Sequence, residues 1–83
     1  MNIQPKYKLL QEVAYRDRND LNAGKIIGIS WNETTKEFVY TLQTYNNEYP
    51  YYNEKYVFPL NSYIVANSET GLITIVESDE KNI

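Results

Sequence analysis

The 83-residue sequence contains no cysteine and no histidine. Without these side chains it cannot build a Ser-His-Asp triad, a Cys-His dyad or an ordinary zinc site, so the commonest hydrolase chemistries are excluded. The lack of cysteine also leaves the fold without a disulfide, so it must rely on packing. We therefore expect a domain stabilised by packing, with oligomerisation as a further source of stability left open, in a reducing compartment such as the cytoplasm.

Only three glycines are present, and none belongs to a G-x-G-x-x-G or G-x-x-x-x-G-K-[ST] loop, so the sequence has no cradle for nucleotide phosphates. No apolar run approaches the roughly 20 residues of a membrane span, and the charged amino terminus lacks an apolar stretch of signal-peptide length. The carboxylate clusters, Glu48 with Glu54 and Glu77 with Asp79 and Glu80, are expected to be exposed. We predict no enzymatic activity, cofactor, metal or membrane association.

Basic side chains are scarce and unevenly placed. The formal net charge is -3, which disfavours a general affinity for nucleic acid. Residues 1–36 carry six basic and four acidic groups, net +2, whereas residues 37–83 carry two basic and seven acidic groups, net -5. A local basic patch on an acidic protein therefore stays open as an alternative to ordinary solvated charge. Its members would be Lys6, Lys8, Arg16, Arg18 and Lys25.

The apolar residues come in short runs rich in valine, isoleucine, tyrosine and threonine, broken by turn-forming residues. No run of eleven or more residues has a helical period, so we predict an all-β fold of five to six short strands. A chain of 83 residues has room for one core. We expect a small barrel or a compact antiparallel sandwich over residues 1–77, followed by a frayed acidic tail at 78–83.

Strand boundaries follow from where the β-branched runs stop. Residues 25–31, KIIGISW, form the clearest strand, in which Gly28 is expected to mark a β-bulge. Residues 37–45 alternate between two faces and should pair with that strand through the NETTK loop. We place the other strands at 7–16, 55–60, 62–66 and 72–77, with a polar turn at 17–24 where Gly24 takes positive φ, and a hairpin turn at Gly71.

The stretch from residue 12 to residue 43 resembles the opening of an SH3-like small β-barrel of the Tudor, KOW or chromo-barrel kind. In that pattern a strand with a core valine leads into a polar loop, a Gly-Lys pair opens a strand that ends in an aromatic residue, and a hairpin returns. The resemblance implies a 3₁₀ turn before the fifth strand, placed near residues 59–63. It also implies a ligand groove or aromatic cage built from the loops after the first three strands. The matching residues are Val13, Gly24 to Ile27, Trp31, Tyr40 and Leu42.

Residues 45–56, YNNEYPYYNEKY, hold five of the nine tyrosines. If the second half is extended, Tyr56, Phe58 and Leu60 share a core-facing side. The tyrosines that flank Pro50 are harder to bury, and tyrosine suits contact surfaces because it offers large area and a polar tip. The alternative is that each ring only fills the core or its rim. With the groove positions implied by the resemblance, the predicted contact residues are Tyr15, Trp31, Tyr45, Tyr49, Tyr51 and Tyr52.

These observations favour a non-enzymatic module that binds a protein partner through the tyrosine-rich loop. One version is an aromatic cage that recognises a cation, with Glu48 or Glu54 assisting. The alternatives are a nucleic-acid accessory protein that uses the amino-terminal basic residues, which the net charge disfavours, and a phage or mobile-element inhibitor of a host enzyme. A homodimer formed through an edge strand also stays open.

Overall fold

The computed structural model describes residues 3–78, which form seven β-strands and one 3₁₀ turn. The predicted acidic tail at 78–83 lies outside the described residues except for Ser78, as do Asp79 and Glu80 of the second acidic cluster. In chain order the strands are β1 (Glu12–Asp17), β2 (Asp20–Asn32), β3 (Glu37–Thr44), β4 (Tyr51–Asn53), β5 (Val57–Pro59), β6 (Tyr63–Ala66) and β7 (Ile73–Val76).

Five strands form one antiparallel sheet in the order β4-β3-β2-β1-β5, and β6 pairs with β7 in a separate two-stranded sheet. The large sheet curls into a half-barrel. Its edge strands, β4 and β5, are each three residues long, which leaves little unpaired backbone at either edge. The all-β prediction is confirmed, and β4 is a strand that the sequence pattern missed.

The β1–β2 hairpin is tighter than predicted, because its turn spans two residues and residues 20–24 already belong to β2. Arg18 takes the positive φ of 59° in this turn. The prediction that Gly24 opens a strand with positive φ is wrong, since Gly24 lies inside β2. A Cβ atom there would lie 3.4 Å from Cε1 of Tyr15. This is an ordinary van der Waals distance, so the Tyr15 ring packs against β2 at the position of Gly24 with room for a Cβ atom.

Strand β2 bends at the predicted β-bulge, because its pairing with β3 shifts register between Ile26 and Gly28. A Cβ atom at Gly28 would lie 3.3 Å from the nearest β3 side chain. The bulge changes which face the following residues occupy, so that Ile26 and Ile29 both pack into the core. It also puts Trp31 directly opposite Phe38 on β3.

Strand β3 shows the predicted alternation between two faces. Its inward residues Tyr40 and Leu42 have no exposed surface, whereas Val39 and Gln43 point the other way and are only half-buried. Each fully buried apolar side chain contributes about 1.5–3 kcal/mol to stability, so the hydrophobic core is the main source of stability. The core consists of Tyr7, Val13, Tyr15, Ile26, Tyr40, Leu42 and Val57.

The amino-terminal segment packs onto the sheet before β1 begins, so the predicted strand at 7–16 is wrong in its first half. Leu10 has a φ of 70° and is 70% exposed. Tyr7 is buried, and its hydroxyl donates a hydrogen bond to the Val57 carbonyl at 3.2 Å. Its backbone N–H donates to the Tyr40 hydroxyl at 3.2 Å. The segment therefore turns at Leu10 and is held to the core by Tyr7.

A 3₁₀ turn at Glu54–Tyr56 separates β4 from β5. It lies directly before β5 and not at residues 59–63, where we predicted it. Tyr56 is 41% exposed and Leu60 37% exposed, whereas Val57 is buried. The predicted core side of this segment is therefore wrong, because the turn interrupts the two-residue alternation of an extended chain and brings Val57 inward.

The last two strands form the predicted hairpin. Gly71 has a φ of 74° in its loop. The Asn67 side chain accepts hydrogen bonds from the N–H groups of Glu69, at 2.8 Å, and Thr70, at 3.1 Å. Neither β6 nor β7 contains a buried residue, so this hairpin lies outside the core of the five-stranded sheet.

Candidate functional site

The β1–β2 turn and the β3–β4 turn lie side by side at one end of the large sheet, because β2 of the first hairpin pairs with β3 of the second. A cleft of about 420 Å³ lies between them. It contains two of the predicted contact residues, Tyr15 and Tyr45, and a third, Tyr52, packs against Tyr15. We call it the acidic cleft, and its lining residues are Tyr15, Asp17, Asn22, Ala23, Thr44, Tyr45, Asn46 and Glu48.

The Tyr15 ring lines the acidic cleft and packs against the Tyr52 ring. The Tyr15 and Tyr52 rings are 4.9 Å apart between centroids, with their planes tilted by 31°. Tyr15 comes from β1 and is 7% exposed, whereas Tyr52 comes from β4 and is half-buried. Tyr45, the first residue after β3, is 96% exposed. The cleft thus combines one buried ring, which packs on Tyr52, with one solvent-facing ring.

Two carboxylates give this cleft its charge. Burial raises the pKa of both Tyr15 and Tyr52, and the negative charges of Asp17 and Glu48 raise both pKa values further. No lysine or arginine is among the described residues that line the cleft. The phenols therefore stay neutral at ordinary pH, and the local field favours a cation over an anion.

Glu48 is held in place by Thr44 at the end of β3. The Thr44 hydroxyl accepts a hydrogen bond from the Glu48 N–H at 3.1 Å and donates one to the Glu48 carbonyl at 3.3 Å. The Thr44 N–H also donates to the Glu48 carbonyl, at 3.0 Å. Asn47 takes a φ of 58° within this turn. The turn that carries Glu48 is therefore tied to a residue that is itself buried.

Replacing Thr44 by valine is expected to lower the free energy of unfolding by about 1–2 kcal/mol, because both hydroxyl hydrogen bonds are lost while the side-chain shape is kept. The same change should speed hydrogen exchange at the Glu48 amide. Urea unfolding and amide exchange measure the two effects. Thr35→Val, at an exposed position in the β2–β3 turn, is the control. Unchanged exchange at Glu48 in the Thr44 variant would mean that the hydroxyl does not hold the turn.

The other predicted contact residues lie elsewhere. Trp31 and Tyr51 line a groove of about 500 Å³ on the outer face of β2, β3 and β4. Tyr51 is 75% exposed and Trp31 37% exposed. Tyr49 is 57% exposed in the β3–β4 turn and lines neither this groove nor the acidic cleft. The six aromatic positions therefore belong to separate surfaces.

The two glutamates expected to assist a cage have different surroundings. Glu48 lines the acidic cleft. Glu54 does not, because its carboxylate accepts hydrogen bonds from the Tyr40 hydroxyl and from the Lys6 N–H, the latter at 3.0 Å. Glu54 therefore ties the amino-terminal segment to the core.

Asp17 is the cleft residue that the sequence interpretation missed, because it was placed in a polar turn. It follows Tyr15 by two positions on β1, so strand periodicity puts both side chains on one face. That spacing was the available signal. Asn22 was missed for a related reason, since it was expected in the same turn but lies on β2 opposite Tyr15.

The basic residues of the amino-terminal half are spread over the sheet. Arg16 and Arg18 lie at the β1–β2 turn, where the Arg16 Nε donates to the Arg18 carbonyl at 2.9 Å. Lys25 lies farther along β2, opposite Glu12. Lys6 lies beside Glu54 and Lys55. These residues therefore line different surfaces.

Within residues 3–78, no three His, Cys, Asp or Glu side chains are grouped so that they could hold a metal ion. That part of the chain also has no helix with the length and apolar character needed to cross a membrane. Comparison of the chain with protein families, with curated proteins and with solved structures finds no significant match.

Proposed function

We propose that the chain is a non-enzymatic protein-binding module whose acidic cleft takes the cationic side chain of a lysine or arginine from a protein partner. The observation that carries the proposal is the placement of Asp17 and Glu48 in one cleft with Tyr15, whose ring packs on Tyr52. Tyr45 stands exposed at the rim of the same cleft. The lack of histidine and cysteine supports binding over catalysis.

Rings and carboxylates favour the same ligand here. A cation above an aromatic face gains about 0.5–1 kcal/mol at an exposed site and about 2 kcal/mol when desolvated. The carboxylates of Asp17 and Glu48 add a Coulomb attraction that salt weakens. The apolar stem of a lysine or arginine can pack along Tyr45. A neutral side chain of the same length gains only the packing, so the cleft should select by charge.

We also propose that the five-stranded sheet is an SH3-like small barrel, to which the β6–β7 hairpin is an addition. A 3₁₀ turn stands directly before the fifth strand, as the resemblance implies. The acidic cleft is built from the turns after β1 and β3, which are among the loops that carry the ligand site in such barrels. The turn supports the barrel assignment, and the position of the cleft supports a binding role for its end of the sheet.

The test is a nuclear magnetic resonance titration of the full chain with Nα-acetyl-lysine amide, Nα-acetyl-arginine amide and the neutral Nα-acetyl-norleucine amide. We expect the cations to shift the amide signals of residues 15–17 and 44–48, with dissociation constants on the order of millimolar for a single side chain. The neutral compound should leave these signals in place. Added salt should weaken the response.

The double variant Asp17→Asn, Glu48→Gln should bind the cations about tenfold more weakly, because it removes the charge and keeps the shape. Glu69→Gln, an exposed change in the β6–β7 loop, is the matched control and should bind normally. Equal shifts with the neutral compound, or full affinity in the double variant, would rule out a charge-selective cleft.

A further inference from the structure

A second groove lies at the far end of β2 and β3 from the acidic cleft. Strand β2 runs for 13 residues from the β1–β2 turn to the β2–β3 turn, so the two turns are at opposite ends of the sheet. The groove measures about 510 Å³ and is framed by Trp31, Phe38, Lys6, Lys36 and Lys55. We call it the lysine groove, since it gathers three of the six lysines of an acidic chain.

The three ammonium groups come from separate segments and are free to change partners. The Lys6 Nζ lies 3.3 Å from Glu77, and Lys36 pairs with Glu33. The side chains of both pairs are about half exposed or more, and such pairs contribute only about 0–1 kcal/mol. Lys55 makes no ion pair within the described residues. A ligand carboxylate can therefore replace these partners at small cost.

Two carboxylates also line the lysine groove, but each is bound elsewhere. Glu54 accepts hydrogen bonds from the Tyr40 hydroxyl and the Lys6 backbone N–H. Glu37 accepts one from the Asn53 side chain at 3.1 Å. Neither forms an ion pair with a lysine of the groove within residues 3–78. Counted formally, the residues that line the groove carry three positive and two negative charges, a net of +1.

The wall of the lysine groove is a fixed indole. The Trp31 ring meets Phe38 edge-on, with centroids 4.9 Å apart and planes at 66°. Its Nε1–H donates to the Glu33 carboxylate at 2.8 Å. Trp31 nevertheless keeps 37% of its surface exposed. The groove therefore offers a rigid apolar wall beside three cations.

We propose that the lysine groove binds an acidic peptide segment of a protein partner, in which an apolar side chain lies between carboxylates. The carboxylates would meet Lys6, Lys36 and Lys55, and the apolar side chain would pack on Trp31. A short peptide fits better than nucleic acid, because the three lysines of the groove can meet only a few phosphates and the chain is acidic overall. This site is independent of the acidic cleft and has the opposite charge preference.

Trp31 is the only tryptophan of the chain, so emission excited where tyrosine does not absorb comes from one side chain, which lines both this groove and the outer groove that contains Tyr51. The full chain is titrated with acetyl-Glu-Leu-Asp-Glu-amide and with its neutral counterpart acetyl-Gln-Leu-Asn-Gln-amide. The expected result is a saturable change in emission with the acidic peptide and none with the neutral one. The change should weaken as salt is added.

Variants then locate the binding charges. The double variant Lys36→Gln, Lys55→Gln should bind the acidic peptide about tenfold more weakly. Lys25→Gln, an exposed lysine of β2 away from Trp31, should bind it normally. The cleft variant Asp17→Asn, Glu48→Gln should also bind it normally, which separates this site from the proposed cation site. Circular dichroism confirms that each variant is folded.

Four results would overturn the proposal. The first is an equal response to the neutral peptide, and the second is full affinity in the Lys36, Lys55 double variant. The third is tighter binding of oligothymidylate than of the acidic peptide, with a steeper salt dependence, because it would identify the groove as a nucleic-acid site. A peptide-free emission that changes with protein concentration would instead identify a second copy of the chain as the occupant, and would also overturn it.

Discussion

Replacing Tyr40 by alanine is expected to lower the free energy of unfolding by about 3–5 kcal/mol, which is a large share of the total free energy of unfolding of a small domain. Tyr40 has no exposed surface and lies in the middle of the core. Its ring meets the Tyr7 ring edge-on at 5.7 Å between centroids. Alanine would leave a cavity where this ring packs.

Replacing Tyr40 by phenylalanine isolates the hydroxyl and is expected to cost about 1–3 kcal/mol. The hydroxyl donates to the Glu54 carboxylate and accepts from the Tyr7 N–H. Without it, the buried Tyr7 N–H loses its partner and Glu54 keeps only its bond from Lys6. The link between the amino-terminal segment and the 3₁₀ turn is therefore expected to loosen.

Urea unfolding measures both Tyr40 variants, and hydrogen exchange at the Tyr7 amide reports on the segment directly. Exchange there should become faster in the phenylalanine variant. Tyr51→Phe, at a position 75% exposed on β4, is the control and should stay within about 0.5 kcal/mol of the parent chain. A phenylalanine variant as stable and as well protected as the parent would contradict a structural role for the hydroxyl.

Local sequence patterns predicted the β2–β3 hairpin and the β6–β7 turn well. The alternation of β3, the bulge at Gly28 and the turn at Gly71 all follow from residue types at short spacing. A two-residue period, a glycine in a β-branched run and a glycine after a polar loop each have one favoured local structure. For these elements the packed fold agrees with the local preference.

The pattern failed where distant contacts decide the structure. Tyr7 is buried because its hydrogen bonds reach Val57 and Tyr40, both more than thirty positions away in the sequence. The 3₁₀ turn at Glu54–Tyr56 is tied to Tyr40 and Lys6 through Glu54. Patterns among neighbouring residues contain no information about these distant partners. The two-residue alternation of an extended strand therefore predicted the wrong core side for Tyr56 and Leu60.

The candidate site was predicted in part for the same reason. The resemblance to SH3-like barrels pointed to Tyr15 and Tyr45, and the tyrosine-rich segment pointed to Tyr52. The fold brings the three together. Their acidic neighbours, Asp17 at the end of β1 and Glu48 in the β3–β4 turn, are 31 positions apart in the sequence. Only the pairing of β2 with both β1 and β3 brings them side by side. Charge at the site is thus a property of strand order, which composition does not contain.

Strand order also separates the two kinds of charge. The acidic cleft and the lysine groove occupy opposite ends of the β2–β3 pair. The net charges of the two parts of the sequence are +2 for residues 1–36 and -5 for residues 37–83. They do not describe this division, because Asp17 belongs to the basic part and Lys55 to the acidic part. A partner that touched both ends would meet opposite potentials, which would fix its orientation on the sheet.

Stability is expected to fall steeply above about pH 10, because burial raises the pKa of Tyr7, Tyr15, Tyr40 and Tyr52. In the unfolded chain a tyrosine has a pKa near 10. Below that pH the four phenols are protonated in both states and their full contribution is present. As the pH rises, the unfolded chain loses these protons first, so the free energy of unfolding decreases until the folded-state pKa values are passed.

Tyr40 should dominate this pH dependence. Burial raises its pKa most strongly, and its hydrogen bond to the Glu54 carboxylate raises the pKa further because only the protonated phenol can donate. The measurement is urea unfolding, monitored by circular dichroism, at a series of pH values between about 8 and 12. Tyr40→Phe removes the most shifted group, so its free energy of unfolding should fall less steeply with pH, even though the variant starts from lower stability. Tyr7→Phe should reduce the slope as well, but by less.

A slope in the Tyr40 variant equal to that of the parent chain would show that another group controls the alkaline transition. A free energy that stayed level up to about pH 12 would mean that the four phenols ionise without leaving the core.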